Sequence, residues 1–322
     1  MITCYEARDN CITSAPYQGA LGPSVVWIDV LDPTKTEEGS LEKALGIDVP
    51  TMAEMREIEV SNRFYTENNA HFMTMLVLQS AGQDAPVLSY VTFILVGNTL
   101  VTVRYLEPKA FPIYAERLAR EAPAPSGALI LMGLLETMIQ RQADHIERMQ
   151  DEIESLAPQI FGQKAAGGAR NRRLDAMLRT VGRSGDLTSR TLECLVSLNR
   201  TLHFFADAAR TRGEDAKLLT RIVSAERDVT ALSEHLKSLS GRTAFLLDAT
   251  LGMISTEQNQ IIKLFSVMAV MLMPPTLVAS IYGMNFHHMP ELDWPYGYPL
   301  ALCAMVVSAV VPYLYFRRKG WM

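Results

Sequence analysis

A chain of 322 residues that is 48% hydrophobic holds enough apolar material for two domains, and its net charge of −5 argues against a nucleic-acid partner. Cys4, Cys11, Cys194 and Cys303 have no metal-ligand spacing. No phosphate-cradling glycine loop, nucleophile elbow or zinc-protease helix motif occurs, so the sequence does not point to an enzyme.

Met1 to Tyr17 carries Glu6, Arg8 and Asp9 and no apolar core, so neither a cleaved signal nor an N-terminal anchor is expected. Residues 1–122 read as a cytoplasmic α/β domain. Val25 to Val30 is a strand ending at Asp32-Pro33, and Thr34 to Leu45 has a helical pattern that Gly46 stops. Phe72 to Leu78, Leu88 to Val96 and Thr99 to Tyr105 are further strands, with Gly97-Asn98 a hairpin turn between the last two.

Pro123 and Pro125 mark a boundary, and residues 123–260 read as a helical region and stalk. Ser126 to Phe161 is amphipathic, Gly167-Gly168 interrupts, and the helical pattern resumes from Arg170 to Arg210. Nine arginines from Arg170 to Arg212 read as a solvated helix face. Leu218, Ile222, Ala225, Val229, Leu232, Leu236, Leu239, Thr243 and Leu246 then alternate four- and three-residue steps, which is a heptad seam. No proline falls between Leu218 and Met273, so one helix is expected to run from the stalk into the apolar region.

Residues 261–322 read as a membrane domain with two transmembrane helices, at about 264–286 and 295–316. Leu264 to Pro290 and Trp294 to Phe316 contain no Asp, Glu, Lys or Arg, and each reaches the ~20 residues that cross a bilayer as a helix. Arg317-Arg318-Lys319 forms a short basic tail, whereas the loop between the spans, His287 to Asp293, carries Glu291 and Asp293 but no Lys or Arg. The positive-inside rule makes this a multi-pass protein with both termini cytoplasmic and the loop outside.

The first span ends in Tyr282-Gly283-Met284-Asn285-Phe286, followed by Met289-Pro290-Glu291-Leu292, Trp294 and Gly297-Tyr298-Pro299. In this topological position the motifs resemble those of the CorA family of Mg²⁺ channels. The resemblance implies a funnel-shaped homopentamer in a bacterial-type inner membrane, its stalk continuous with the first transmembrane helix. It implies import of Mg²⁺, with Co²⁺ and Ni²⁺ as further permeant ions, down the electrochemical gradient. A zinc-transporting relative of the same architecture is the alternative.

Mg²⁺ dehydrates reluctantly, so neutral oxygens suit recognition of the hydrated ion. A ring of Asn285 amides with the Gly283 carbonyl, in the Gly283-Met284-Asn285 filter, supplies them. Stepping inward by helical period gives Ser280, Thr276, Met273, Ala269, Phe265, Ile262, Asn259, Ser255 and Asp248. This stripe is polar at the mouth, apolar in the middle and polar again toward the cytoplasm. An apolar middle can close a pore by dewetting, and a ring of Asp248 would concentrate cations. Glu291 attracts cations outside, while adjacent His287 and His288 read as surface residues. Regulatory Mg²⁺ binding is implied by the resemblance, with Asp84, Glu226 and Asp228 in suitable segments.

Overall fold

The computed structural model describes all residues except 9–10, 18, 20, 58, 60–61, 82–84, 121–124, 163–167, 286–288, 291–293 and 322. It divides into two compact units, residues 1–162 with 179–246, and residues 163–178 with 247–322.

The first unit contains a seven-stranded sheet built from β1 (Ile2–Arg8), β2 (Cys11–Pro16), β3 (Val25–Leu31), β4 (Phe64–Glu67), β5 (Ala70–Ala81), β6 (Ala85–Val96) and β7 (Thr99–Arg104). The order is β2-β1-β3-β7-β6-β5-β4, and β3 with β7 is its parallel pair. From Val25 to Val30 every residue of β3 is buried, as a central strand covered on both faces requires. Asp29 on that strand accepts from Arg104 Nη2 at 2.7 Å and from the Thr102 hydroxyl at 2.8 Å, and Trp27 Nε1 donates to Thr102 at 3.0 Å. The buried charge pair is thus hydrogen-bonded on both partners, which burial demands.

Helix α1 (Lys35–Leu45) lies where its sequence signals place it, with Thr34 and Glu37 forming a capping box and Gly46 left-handed at φ 67°. The Gly97-Asn98 turn also forms, with Gly97 at φ 52° and Val96 paired with Thr99. Short strand β4 has no matching sequence expectation. It is joined to β5 through Asn68 and Asn69, both left-handed at φ 48° and 63°, a conformation asparagine tolerates better than most residues.

Short helices α2 (Met52–Met55) and α3 (Ala110–Leu118) precede the long helices α4 (Gly127–Phe161), α5 (Gly168–Arg212) and α6 (Ala216–Tyr282). Gly127 brings the start of α4 onto the β6–β7 turn, where its N–H donates to Asn98 O at 2.9 Å. A Cβ there would stand 2.6 Å from Leu100 N. Further along α4, Ile146, Met149, Ile153, Leu156 and Ile160 form a buried stripe at helical spacing.

Glu136–Arg221, Gln150–His235 and Glu154–Arg242 bonds keep offsets of 85, 85 and 88 residues, so α4 and α6 run parallel. The pair His203–Glu226 and the approach of Gly185 to Thr243 run in opposite register, so α5 returns between them antiparallel. The heptad seam is the buried face of α6 in this unit, with Leu218, Ile222, Val229, Leu236 and Leu246 all at 2% exposure or less. On α5, Arg190 pairs with Asp186 and Arg210 with Asp207, one helical turn away, as a solvated face does.

Candidate ion pathway

The second unit consists chiefly of the C-terminal part of α6 and of α7 (Gly297–Arg318). Helix α6 is 67 residues long, about 100 Å at ~1.5 Å per residue, and it continues through Pro274 and Pro275. These prolines cannot donate to the carbonyls one turn earlier. Nearby, the Thr276 hydroxyl donates to Leu272 O at 3.0 Å and Met273 O at 2.8 Å. Its hydrogen turned to the backbone, Thr276 presents an oxygen that can accept, which suits a hydrated cation whose water shell donates.

Large apolar side chains are exposed along both helices, among them Ile262 at 61%, Phe265 at 65% and Met273 at 68%. Such a surface is tolerable only against lipid or other chains. From Leu264 to Tyr282 the helix is ~28 Å long, the thickness of the hydrocarbon layer. Aromatic residues sit at both ends of α7, where membrane–water interfaces favour them. Trp294 and Tyr296 meet edge to face at 5.9 Å at one end, and Phe316 stacks on Trp321 at 5.5 Å at the other. Lys263 lies 5.8 Å from the Trp321 ring, which sets the level on α6 where charge resumes.

The candidate stripe has a definite place on α6. Asp248, Ser255, Asn259, Ile262, Phe265, Ala269, Met273, Thr276 and Ser280 are all exposed in the single chain. Val267 is 1% exposed, and Met271, Pro274, Val278 and Tyr282 are half-buried. At ~100° per residue this shielded row and the stripe are centred on roughly opposite sides of the helix. The stripe is therefore exposed in the single chain, as are Leu264, Met268, Val270, Leu272, Leu277 and Ile281 around the rest of the helix, and only the row through Val267 is shielded.

The helix ends at Tyr282, so Gly283, Met284 and Asn285 lie beyond it and the helical stepping stops one turn short of Asn285. The Gly283 N–H still donates to Ala279 O at 2.9 Å, and a Cβ on it would stand 3.0 Å from that oxygen. Its φ is outside the left-handed region, so it is not a left-handed helix stop of the Gly46 kind. Met284 and Asn285 are exposed. Glu291 and Asp84 lie outside the described residues, as do His287, His288 and Asp293. Glu226 is bound by His203 Nδ1 at 2.9 Å, and Asp228 is exposed. Among the described residues no three His, Cys, Asp or Glu side chains converge as a metal-binding group. The aromatic ends of α7, Lys263 and the bonding of Thr276 were not foreseen; Trp and Tyr flanking an uncharged run would have signalled the first of these.

An α/β unit whose last long helix runs on into an apolar segment, followed by a second apolar helix, is the build of a two-span membrane protein. The description "CorA-like Mg2+ transporter protein" matches residues 23–318. The Magnesium transport protein CorA of Salmonella typhimurium is 34% identical over 325 residues, covering 100% of both chains. The complete structure of the CorA magnesium transporter from Methanocaldococcus jannaschii superposes with a TM-score of 0.72 at 18% identity, covering 100% of this chain and 99% of that one. The cytoplasmic domain of ZntB from Vibrio parahaemolyticus gives 0.57 at 10% identity, covering 80% of this chain and 97% of that one. The chain belongs to the CorA-like Mg²⁺ transporter family, whose members are transporters and not enzymes.

Proposed function

We propose that this protein is an inner-membrane channel that imports Mg²⁺ through a pore lined by α6 of five identical subunits. The observation that carries the reading is the exposed stripe from Asp248 to Ser280, on the side of α6 opposite its shielded row and ending beside Gly283-Met284-Asn285. Five copies turned inward would give the mouth a polar ring at Ser280 and Thr276, the middle an apolar constriction from Met273 to Ile262, and the cytoplasmic end rings of Asn259, Ser255 and Asp248. The constriction gates by dewetting, and Asn285 amides accept hydrogen bonds from the hydrated ion. Glu291 gathers cations outside. An inward-negative potential drives entry with ~2.3 kcal/mol per charge per 100 mV, about twice that for a divalent ion. Co²⁺ and Ni²⁺, of similar charge and hydration, follow the same path.

The test is divalent flux per assembled oligomer in liposomes. Asn285→Ala should abolish flux while the oligomer persists, since Asn285 lies outside α6. Asn285→Asp keeps an oxygen at the mouth but adds up to one negative charge per subunit, so binding tightens and throughput falls. Normal flux through assembled Asn285→Ala removes the filter assignment. Zinc uptake that Mg²⁺ does not compete with would favour the zinc-transporting alternative.

Asp84, Glu226 and Asp228 serve as regulatory Mg²⁺ ligands contributed across neighbouring subunits in this reading. Mg²⁺ would then displace His203 from Glu226 and should slow proteolysis of the cytoplasmic part. Digestion at equal rates with and without Mg²⁺, or unchanged protection in Glu226→Gln, excludes the site.

A further inference from the structure

Helix α5 and the residues before it carry their positive charge unevenly. Residues 163–185 hold six Lys or Arg and one carboxylate, Asp175, whereas residues 186–212 hold four Arg and three carboxylates. In the second stretch Arg190 pairs with Asp186, Arg210 with Asp207 and Arg212 with Glu214. In the first, Arg173, Arg179 and Arg183 are exposed and make no ion pair among the described residues. Arg170 with Arg173, and Arg179 with Arg183, are one helical turn apart, a like-charge spacing that weakens a helix unless an outside anion offsets it.

The charged half is the one nearest the apolar segments. Residues 163–178 form one compact unit with residues 247–322, and Leu174 and Met177 of α5 and Thr250 and Glu257 of α6 are buried. The antiparallel register of Gly185 with Thr243 and of His203 with Glu226, carried on along both helices, sets Arg173 beside about Ser255 and Gly168 beside about Gln260. Lys263, close to the Trp321 ring, is the last charge before the uncharged run that begins at Leu264. At ~1.5 Å per residue the start of α5 is ~5 Å short of that level, Arg173 ~12 Å and Arg183 ~27 Å. Headgroups occupy ~5–8 Å on each side of the hydrocarbon, and their field decays over a Debye length of ~8 Å. The first turns of α5 therefore lie within reach of the headgroups, and Arg183 does not. Basic residues beside a span are set by membrane insertion, which accounts for Arg317-Arg318-Lys319 but not for α5, far from either span in sequence.

We propose that the first turns of α5, which carry Arg170, Arg172 and Arg173, dock on the anionic phospholipid headgroups of the leaflet at the level of Lys263. Lys263 and the Arg317-Arg318-Lys319 tail extend the same basic surface. A leaflet presents phosphates continuously at this level, and each cation near it strengthens attachment about fivefold. The proposal rests on the two spans and is independent of the ion pathway, so its failure leaves the pore reading standing.

The test is native mass spectrometry of the full-length protein in neutral detergent, titrated with phosphatidylglycerol and with phosphatidylcholine of the same chains. The wild type should retain phosphatidylglycerol at least tenfold more tightly. Arg170→Gln, Arg172→Gln and Arg173→Gln together should weaken phosphatidylglycerol at least tenfold and leave phosphatidylcholine unchanged. Arg173→Gln alone, at an exposed position without an ion pair where folding is safe, should weaken it about threefold. Arg183→Gln, on the same helix but beyond the headgroup field, should match the wild type. Wild-type retention in both the triple variant and Arg173→Gln would overturn the proposal. So would an equal loss in Arg183→Gln, which would make net charge the cause, or displacement of the lipid by millimolar inorganic phosphate, which would make the site one for a free anion.

Discussion

His145 and His71 are both harder to protonate than a free imidazole, and the causes are specific. For His145 they are burial, Arg148 and Arg141; for His71 they are burial and Arg212, while its Nδ1 lies 3.0 Å from the Thr66 hydroxyl. Both imidazoles are below the usual range when folded, whereas in the unfolded chain they protonate near ~6.5. Unfolding therefore takes up protons, so the contribution to stability is complete above ~6.5 and is lost as the pH falls below it. The melting temperature in detergent should drop between pH 7.5 and 5.5, and His145→Asn with His71→Asn should flatten that dependence. A slope unchanged in the double variant would show that other groups set it. Cys194 is at the other extreme: burial pushes its thiol up to about 12, so it is an inert filler of the core.

Helix α4 shows how a single element can be fixed by what it lacks. Its N-terminal half is buried nearly all round, and Gly133 faces Tyr114 of α3 so closely that a Cβ would overlap the phenol ring. The Thr137 hydroxyl donates back to Gly133 O at 2.7 Å, so the helix is continuous at that point. Gly133→Ala gains helix propensity but forces Tyr114 out of place, for a net loss of about 1–3 kcal/mol. Combined with Tyr114→Ala it should cost less than the two single changes together, because the clash is gone in the double variant. Additive losses in a thermal or urea melt would mean that the contact is not the cause. In α6 the same element serves two solvents: its heptad seam is buried within the first unit, and beyond Leu247 its large apolar side chains turn outward.

For the molecule as a whole, orientation follows from where the charges fall. Arg317, Arg318 and Lys319 close α7, and the loop before it has no Lys or Arg. In a background without native cysteines, His288→Cys should react with an impermeant maleimide added to spheroplasts, and Lys237→Cys should not. The opposite labelling would reverse both the topology and the direction of transport proposed above. The apolar surface of α6 and α7 makes isolated single chains unstable in water, so the full chain should need detergent or lipid throughout purification.

Much of this protein is written in local patterns. The two uncharged runs, the heptad seam from Leu218 to Leu246, the α1 caps at Thr34 and Gly46 and the Gly97-Asn98 turn are legible because each rests on residues near in sequence, whose spacing alone sets the structure. So is the family resemblance, since its motifs are contiguous. The remainder needed the tertiary structure, because it depends on residues far apart in the chain. Asp29 finds Arg104 only when β3 lies parallel to β7, and the Leu76 N–H finds the Ser197 hydroxyl, 2.9 Å away, only when α5 packs against β5. Whether Met273 or Val267 is exposed on α6 cannot be read from a uniformly apolar helix. Packing within the second unit decides it, because burial is a property of neighbours and not of the residue.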